Sequence, residues 1–594
     1  MSHENASARI AAIALVLVSG VAPGQQAQNE GEQASREAAF ARLMSGARMV
    51  GSFTASDAAP GSPPQADGYD LVQVSKVEGT LSQWRFEAKI AYGGGHFSVP
   101  LVVDVLWAGD TPVITVTDMA IPLLGTFSAR VVIHDEQYAG TWRGAGHSGQ
   151  LFGVLERAAP AGGGEAYWPS FRGPGASGVA DGDELVEGWD LESGEGVLWR
   201  TPIPGLAHSS PVIWGERIYV TTAVREAGDA RLKVGLFGDI IPVDDESPHV
   251  FSVLCLDRAS GEILWERAAW EGVPTDRRHP KGSHAASTPT ADGERVVALF
   301  GSEGLFCYST EGELLWTRDL GTLNAGFYLL PGAEWGFASS PVIHGERLLV
   351  QVDIQGDSFL AALDLETGAD VWRTPRDEVP GWGSPTVVVT PSRTQVVVNG
   401  FKHIGGYDLQ TGAELWTLVG GGDIPTPTPI FAHELIYITS AHGRTAPIFA
   451  ISPAAEGELA MKAEESEHMI WSRLRRGNYM QTPLVYGEQL YLCSDSGILA
   501  CYDARSGEER YRERLDGGGF GFTASAVAGD GKLYLTGEGG EVHVVRAGTR
   551  FEEIGVHSLG EESMASPAIA KGVIHWRTRR HLVAIGVAGS TEQK

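Results

Sequence analysis

The sequence predicts an all-β chain, a ring of eight four-stranded blades preceded by a small β-rich N-terminal domain. Three observations lead there. A turn motif ending in tryptophan returns along the chain, a Ser/Thr-Pro lead-in returns out of phase with it, and 77 Gly with 16 Trp in 594 residues is the composition of short strands and tight turns. Glycine at that level is roughly twice average usage, in a chain about four times the length of a typical domain.

The motif reads small-x-Asp-x-x-Thr/Ser-Gly-x-x-x-Trp. It runs from Cys255 to Trp265 through Asp257 and Gly261, from Ala362 to Trp372 through Asp364 and Gly368, and from Gly406 to Trp416 through Asp408 and Gly412. Weaker copies run from Cys307 to Trp316 and from Cys501 to Tyr511, the latter through Asp503 and Gly507. Each copy is expected to be a hairpin. The Asp side chain accepts hydrogen bonds from the turn amides, Gly supplies the positive φ, and the returning strand carries the Trp, which docks between sheets. Because the Asp recurs with the repeat, its role is structural.

The lead-in occupies 209–217, 339–347 and 482–488, with relatives beginning at Ser287, Ser384, Thr428, Ser525 and Ser566. Aligning Pro211, Pro289, Pro341, Pro385, Pro429, Pro483, Ala526 and Pro567 gives eight units, spaced mostly 41 to 54 residues apart. Periods of about 40 to 50 residues with four short strands each are the mark of propeller blades. The first interval, 78 residues, implies an insertion between Val224 and Val250, where 244–248 reads as an exposed loop.

The stretch 196–200 carries Trp199 without a hairpin of its own, and the last unit stops at 582–587 before any Trp strand. The N-terminal strand is therefore expected to complete the last blade and close the ring, removing exposed edges. On this reading the propeller spans 168–587 and a disordered tail follows at 588–594. A linker at 158–167 separates it from an N-terminal domain at 38–157. That domain begins with a short helical pattern (Phe40, Leu43, Met44) and continues with alternating segments at 84–91, 113–117 and 127–134. Its end, 138–153, fits the closing hairpin of a small lipocalin-like barrel and an open sheet equally well.

With 45 Lys plus Arg against 74 Asp plus Glu, the net charge of −29 opposes the phosphate backbone and argues against nucleic acid and anionic membranes as partners. The apolar run Ile10 to Val21 after Arg9 reads as a signal peptide over 1–27, cleaved between Ala22 and Ala27. No cysteine follows it, which argues against a lipoprotein anchor, and no later segment reaches the 18 apolar residues of a membrane span. The expectation is an exported monomer, periplasmic or extracellular. Cys255, Cys307, Cys493 and Cys501 form neither a haem-attachment nor a zinc spacing. Three of them fall two residues before the motif Asp or its replacement, a slot that wants a small buried side chain.

The repeated unit resembles the tryptophan-docking motif of PQQ-like β-propeller repeat proteins, over about 70% of the chain. The opening 167–174, Tyr-Trp-Pro-Ser-Phe-Arg-Gly-Pro, looks like that of exported propellers named only for the repeat. The resemblance implies two functional classes. One is the quinoprotein dehydrogenases, with pyrroloquinoline quinone (PQQ) over the channel, a calcium ion held by oxygen ligands, an Asp general base and commonly a vicinal disulfide. The other is non-catalytic, including the protein-binding propeller of the outer-membrane β-barrel assembly machinery.

The sequence has no adjacent cysteines, no nucleophile elbow, no phosphate-binding Gly loop and no His-Glu-x-x-His. The segment 181–184 lacks the oxygen spacing of a calcium loop and reads as a surface turn. Residues in or before the lead-ins are expected to face the channel mouth: His208, Lys281, His284, Trp335, Trp382, Asp423, Asn478, Tyr479, Gln481 and Phe522. Trp335 or Trp382 could stack a quinone, with Lys281, Arg277 and Arg278 meeting its carboxylates. The favoured expectation is a protein-binding scaffold with neither cofactor nor metal. Its alternatives are a PQQ- and calcium-dependent alcohol or sugar dehydrogenase, and a carbohydrate-binding propeller presenting Trp335 and Trp382 side by side.

Overall fold

The computed structural model describes residues 47–157 and 167–587, with gaps at 58–62, 78, 93–94, 122–124, 135–136, 145, 237–239, 331, 391 and 516–520, and part of 33–44. The expected signal peptide, the linker before Tyr167 and the tail at 588–594 lie outside these residues. Two compact units result, divided between Ala161 and Gly162.

The first unit is a closed antiparallel barrel of eight strands: β1 (Ala47–Phe53), β2 (Gln65–Lys76), β3 (Gln83–Tyr92), β4 (Gly95–Ala108), β5 (Thr111–Ile121), β6 (Gly125–His134), β7 (Gln137–Gly144) and β8 (His147–Arg157). Of the two architectures the sequence left open, the barrel is the one formed, because β8 returns to pair with β1 from Ala47–Arg157 to Phe53–Leu151. Alternate residues such as Trp84, Phe86, Val105, Val131, Ile133 and Tyr138 turn inward, and Phe40 and Met44 join them in the core. The Phe40 ring stands edge-on to Trp84 at 5.0 Å. Glycine is needed at the closing seam. Gly51 faces Gly153 across β1 and β8, and a Cβ on either would lie 2.5 or 2.7 Å from the Tyr138 hydroxyl.

The second unit is an eight-bladed propeller. Blade 1 contains Val212–Trp214, Arg217–Arg225, His249–Asp257 and Ile263–Gly272, with Tyr167–Trp168 added along its inner edge. Blades 2 to 7 follow the lead-in order. Blade 8 is composite: Ala568–Ala570, Val573–Arg577 and His581–Gly586 are completed by Val197–Pro202, paired to His581–Gly586. The residues around Trp199 thus close the ring.

The motif acts between blades. In the complete copies the Asp carboxylate accepts from the backbone N–H and hydroxyl of the Ser or Thr three residues on, at 2.6 to 2.9 Å, as at Asp257, Asp364, Asp408 and Asp503. Gly261, Gly368, Gly412 and Gly507 take φ of 73°, 70°, 70° and 68°. Each Trp indole N–H then donates to a carbonyl in the next blade: Trp199 to Arg258 (3.0 Å), Trp265 to Thr310 (2.9 Å), Trp316 to Leu365 (3.0 Å) and Trp372 to Leu409 (2.8 Å). Trp416 departs from the expected docking. Its indole donates to Gln395 of its own blade at 2.8 Å, because Gly457–Leu459, inserted in blade 5, pairs in parallel with Glu414–Leu418 and covers that edge.

Register explains the cysteines. Cys255, Cys307 and Cys501 lie directly opposite Trp265, Trp316 and Tyr511 on the neighbouring strand, where Ala362 and Gly406 face Trp372 and Trp416. A large ring on one strand leaves space for a small side chain on the other. All four thiols are free and buried, and burial pushes each up to about 12. The expected result with a thiol-specific reagent at pH 8 is no fast labelling of the native chain and labelling of all four after denaturation. Rapid native reaction at any of them would contradict this packing.

Burial also lowers three histidines, His208 to about 4, His284 to about 3 and His575 to about 3. Their folded values lie below the unfolded value of about 6.5, so the unfolded chain binds more protons in between. Stability is then fully present above pH 6.5 and falls as pH drops from 6.5 towards 4. A denaturant titration at pH 7, 6, 5 and 4 should show this decline, with a shallower slope in His575→Phe.

Candidate functional site

The eight lead-ins converge on the axis as extended segments, and their hydroxyls form a belt. The Ser210 backbone N–H donates to the Thr288 hydroxyl (2.9 Å), Thr288 N–H to Ser340 (2.9 Å), Ser340 N–H to Ser384 (2.9 Å) and Ser384 N–H to Thr428 (3.1 Å). Thr428 N–H donates to Thr482 (3.0 Å), Thr482 N–H to Ser525 (3.0 Å) and Ser525 N–H to Ser566 (2.9 Å). Each link joins one blade to the next. This is why the repeat places a hydroxyl residue immediately before its proline, or before Ala526.

Above the belt lies a cavity of about 500 Å³ on the channel axis. Extended backbone alternates its side chains, so residues two before each belt position face inward: His208, Ala286, Ala338, Trp382, Thr426, Met480, Thr523 and Met564 all line it. Phe171 reaches it from the opposite end, on a segment that crosses the propeller. Trp168 of that segment pairs with blade 1, and Arg172, fully buried, donates to the carbonyls of Ala176 (3.2 Å), Pro483 (2.8 Å) and Ala526 (2.9 Å).

The cavity wall on one side is aromatic. Trp335 lies over Trp382 with ring centres 5.9 Å apart, Phe327 stacks on Trp335 at 6.0 Å, and Tyr479 stacks on His442 at 5.7 Å. Both indole N–H groups are engaged, Trp335 with the Ile240 carbonyl (3.0 Å) and Trp382 with that of Gly336 (2.8 Å). The two indoles cover each other rather than standing side by side, as the carbohydrate-binding expectation requires. Asp423 binds the His442 imidazole at 2.5 Å. Burial, reinforced by Asp495 and Asp423, pushes the Tyr479 phenol up to about 12.

On the other side the blade-1 insertion is tied across the axis. The Lys281 ammonium donates to Glu538 (2.7 Å) and to the Gly235 carbonyl (2.6 Å), while Glu538 also accepts from the Gly235 N–H (2.8 Å) and the Thr523 hydroxyl (2.5 Å). The insertion, expected as an exposed loop at 244–248, is anchored at its base as well, where Asp245 takes two hydrogen bonds of 2.8 Å from the Arg225 guanidinium.

Of the ten residues expected at the mouth, His208, Lys281, Trp335, Trp382 and Tyr479 line the cavity. The other five do not line it. Gln481 and Phe522 sit at odd offsets from the belt and point into the blades, both buried. Asn478 turns to donate to the Gln481 carbonyl at 3.3 Å, and His284 packs against His249 at 5.1 Å. Asp423 meets the cavity through His442, which lines it. Sequence reading gave His442 little weight as a lone His in 441–443, and it missed Phe327, which a hydropathy pattern does not separate from loop residues, and Glu538, which lies 257 residues from Lys281.

PQQ with calcium does not fit this donor set. Calcium takes six to eight oxygen ligands; of the two carboxylates that line the cavity, Glu538 has both oxygens committed and an ammonium 2.7 Å from one of them, which leaves Asp495 alone. Among the described residues no group of three or more His, Cys, Asp or Glu converges to metal-binding distance. The cations offered for quinone carboxylates are engaged too, Lys281 with Glu538, Arg277 with Asp244 at 3.3 Å and Arg278 with backbone carbonyls.

Residues 250–513 match the sequence profile of the family described as outer membrane protein assembly factor BamB. The propeller carries PQQ-like repeats. Solved structures to which the chain is similar include BamB from Moraxella catarrhalis (14% identity, 61% of this chain and 98% of that one, TM-score 0.40). Others are a europium-containing methanol dehydrogenase (11%, 71% and 89%, 0.45) and a quinohemoprotein alcohol dehydrogenase from Pseudomonas putida HK5 (11%, 71% and 80%, 0.46). No curated protein matches the chain in sequence. Among the described residues no helix is long and apolar enough to cross a membrane. One fold serves many functions, so the activity of a PQQ-like propeller has to be argued from its own site.

Proposed function

We propose that this chain is an exported, non-catalytic PQQ-like propeller that binds a protein partner at the channel mouth bearing Trp335. The observation that carries this reading is the apolar rim. Leu236, Ile240 and Ile241 of the blade-1 insertion are 42%, 53% and 75% exposed, and Leu329 and Leu330, between Phe327 and Trp335, are 64% and 42% exposed. Elsewhere on the propeller, exposed aliphatic side chains such as Ile263, Leu314, Val371 and Ile470 are spread over the outermost strands of separate blades. An apolar patch beside stacked aromatics has the make-up of an interface hot spot. The engaged Lys281 and Glu538 side chains favour a positioning role over acid-base work. The apolar run Ile10 to Val21 after Arg9, read as a leader, supports export, and N-terminal sequencing of the mature protein tests it.

A photo-crosslinking amino acid placed at Ile241 or Leu330 in the producing cell tests the mouth. The expected result is a discrete protein adduct at both positions, diminished by Trp335→Ala. A probe at Glu488, at the other end of the blade-6 strands from Asp495, should give none. Adducts from Glu488 alone, or none that depend on Trp335, would overturn the reading.

A further inference from the structure

The wall between blades 8, 1 and 2 holds three arginines that form no ion pair with an acid among the described residues. Arg577 is 1% exposed; its Nη1 donates to the carbonyls of Thr578 (2.7 Å) and His581 (3.4 Å), while Nε and Nη2 have no hydrogen-bond partner. Arg278, also 1% exposed, donates to the carbonyls of Gly282 (3.0 Å) and Arg231 (2.8 Å). Arg579 donates to those of Gly205 and Ala230, both at 2.8 Å. Arg278 and Arg579 thus clasp the consecutive carbonyls of Arg231 and Ala230, and Gly205 begins the segment that brings His208 to the cavity.

Among the described residues none of the three guanidiniums meets a carboxylate. Of the nearby acids, Asp245 is engaged by Arg225, Asp229 by Arg580, and Glu561 by Arg200, His581 and the Thr578 hydroxyl, while Glu562 is exposed. Burial lowers Arg577 to about 9 and Arg278 to about 10, which leaves both charged at neutral pH. A buried charge left unpaired, with N–H donors unspent, is strongly unfavourable. A water molecule would accept hydrogen bonds there but leave the charge standing, whereas an anion answers both demands. We propose that Arg577, flanked by Arg278 and Arg579, binds a small buried anion of chloride size in the channel wall.

The test uses the full chain at pH 7, unfolded by heat in sodium chloride and in sodium gluconate at equal ionic strength. Chloride is expected to raise the unfolding midpoint by about 3 °C or more once well above its dissociation constant. Gluconate, too large to enter, should not. Arg577→Met should abolish the difference, and Arg505→Met, an exposed arginine of blade 6, should keep it. Equal midpoints in the two salts, or an unchanged chloride response in Arg577→Met, would overturn the proposal. If Arg577→Met does not fold, chloride-35 line broadening on the unmodified chain decides. Saturable excess broadening supports the site, and its absence refutes it.

Discussion

Gly261→Val is expected to destabilise the propeller by about 2 to 5 kcal/mol, from a left-handed backbone penalty and from overpacking. Gly261 has φ of 73°, and a Cβ there would stand 2.5 Å from the Trp199 ring. Trp199 belongs to the strand that closes blade 8, so the damage concentrates at the ring closure. Backbone amides of Val197–Pro202 and His581–Gly586 should exchange with solvent faster, with those of blade 4 little changed. Gly531→Val is the control. Gly531 has φ of 71° but nothing within 4 Å of its Cβ position, so it should show the backbone part alone, about 1 to 2 kcal/mol. Equal losses at the two glycines in chemical denaturation would mean that docking of Trp199 contributes nothing.

The second large effect lies between blades 3 and 4. Arg376 and Asp353 form an ion pair at 2.8 Å whose side chains are both 0% exposed, and Arg376 also donates to the Tyr407 hydroxyl (2.8 Å) and the His403 carbonyl (2.7 Å). Beside it, buried Glu378 accepts backbone N–H groups of Phe401 (2.9 Å) and His403 (2.7 Å). Asp353→Ala strands a buried guanidinium and should cost about 3 to 5 kcal/mol. The paired change Asp353→Leu with Arg376→Met should cost less than either truncation alone, because no charge is left unpaired. The exposed pair Arg505 with Glu488, 57% and 63% exposed, should contribute under about 1 kcal/mol when cut. Denaturant midpoints of Asp353→Leu, Arg376→Met, their double variant and Glu488→Ala measure this, and a double variant equal to the sum of its two singles would contradict the pairing.

The fold was legible because it is written repeatedly. The Asp, Gly and Trp of one hairpin return at fixed spacing, and the unpaired Trp199 strand needed a partner that only the truncated last unit could supply. What remained obscure was written once. Trp471 of blade 5 donates to the Ala504 carbonyl at 2.9 Å like its relatives, but no Asp and Gly precede it at motif spacing, so the repeat does not reveal it. The barrel seam depends on Gly51, Gly153 and Tyr138 meeting across about a hundred residues, a contact that alternation alone does not encode. At the mouth, position just before the lead-ins pointed to His208 and Trp382 along with Gln481 and Phe522, whereas a period of two counted from the belt hydroxyls separates the first pair from the second. The tie of Gly235, Lys281 and Glu538 joins three separated segments and leaves no local pattern.

The most direct measurement is calorimetric titration of the purified protein with PQQ, with and without calcium, followed by a dye-linked assay with simple alcohols and aldoses. The expected result is no saturable heat under either condition and no dye reduction, in keeping with a channel whose ammonium, Lys281, is bound to Glu538 and leaves Asp495 as the one other lining carboxylate. Micromolar, calcium-dependent binding accompanied by dye reduction would contradict it and make the Trp335 mouth a dehydrogenase site.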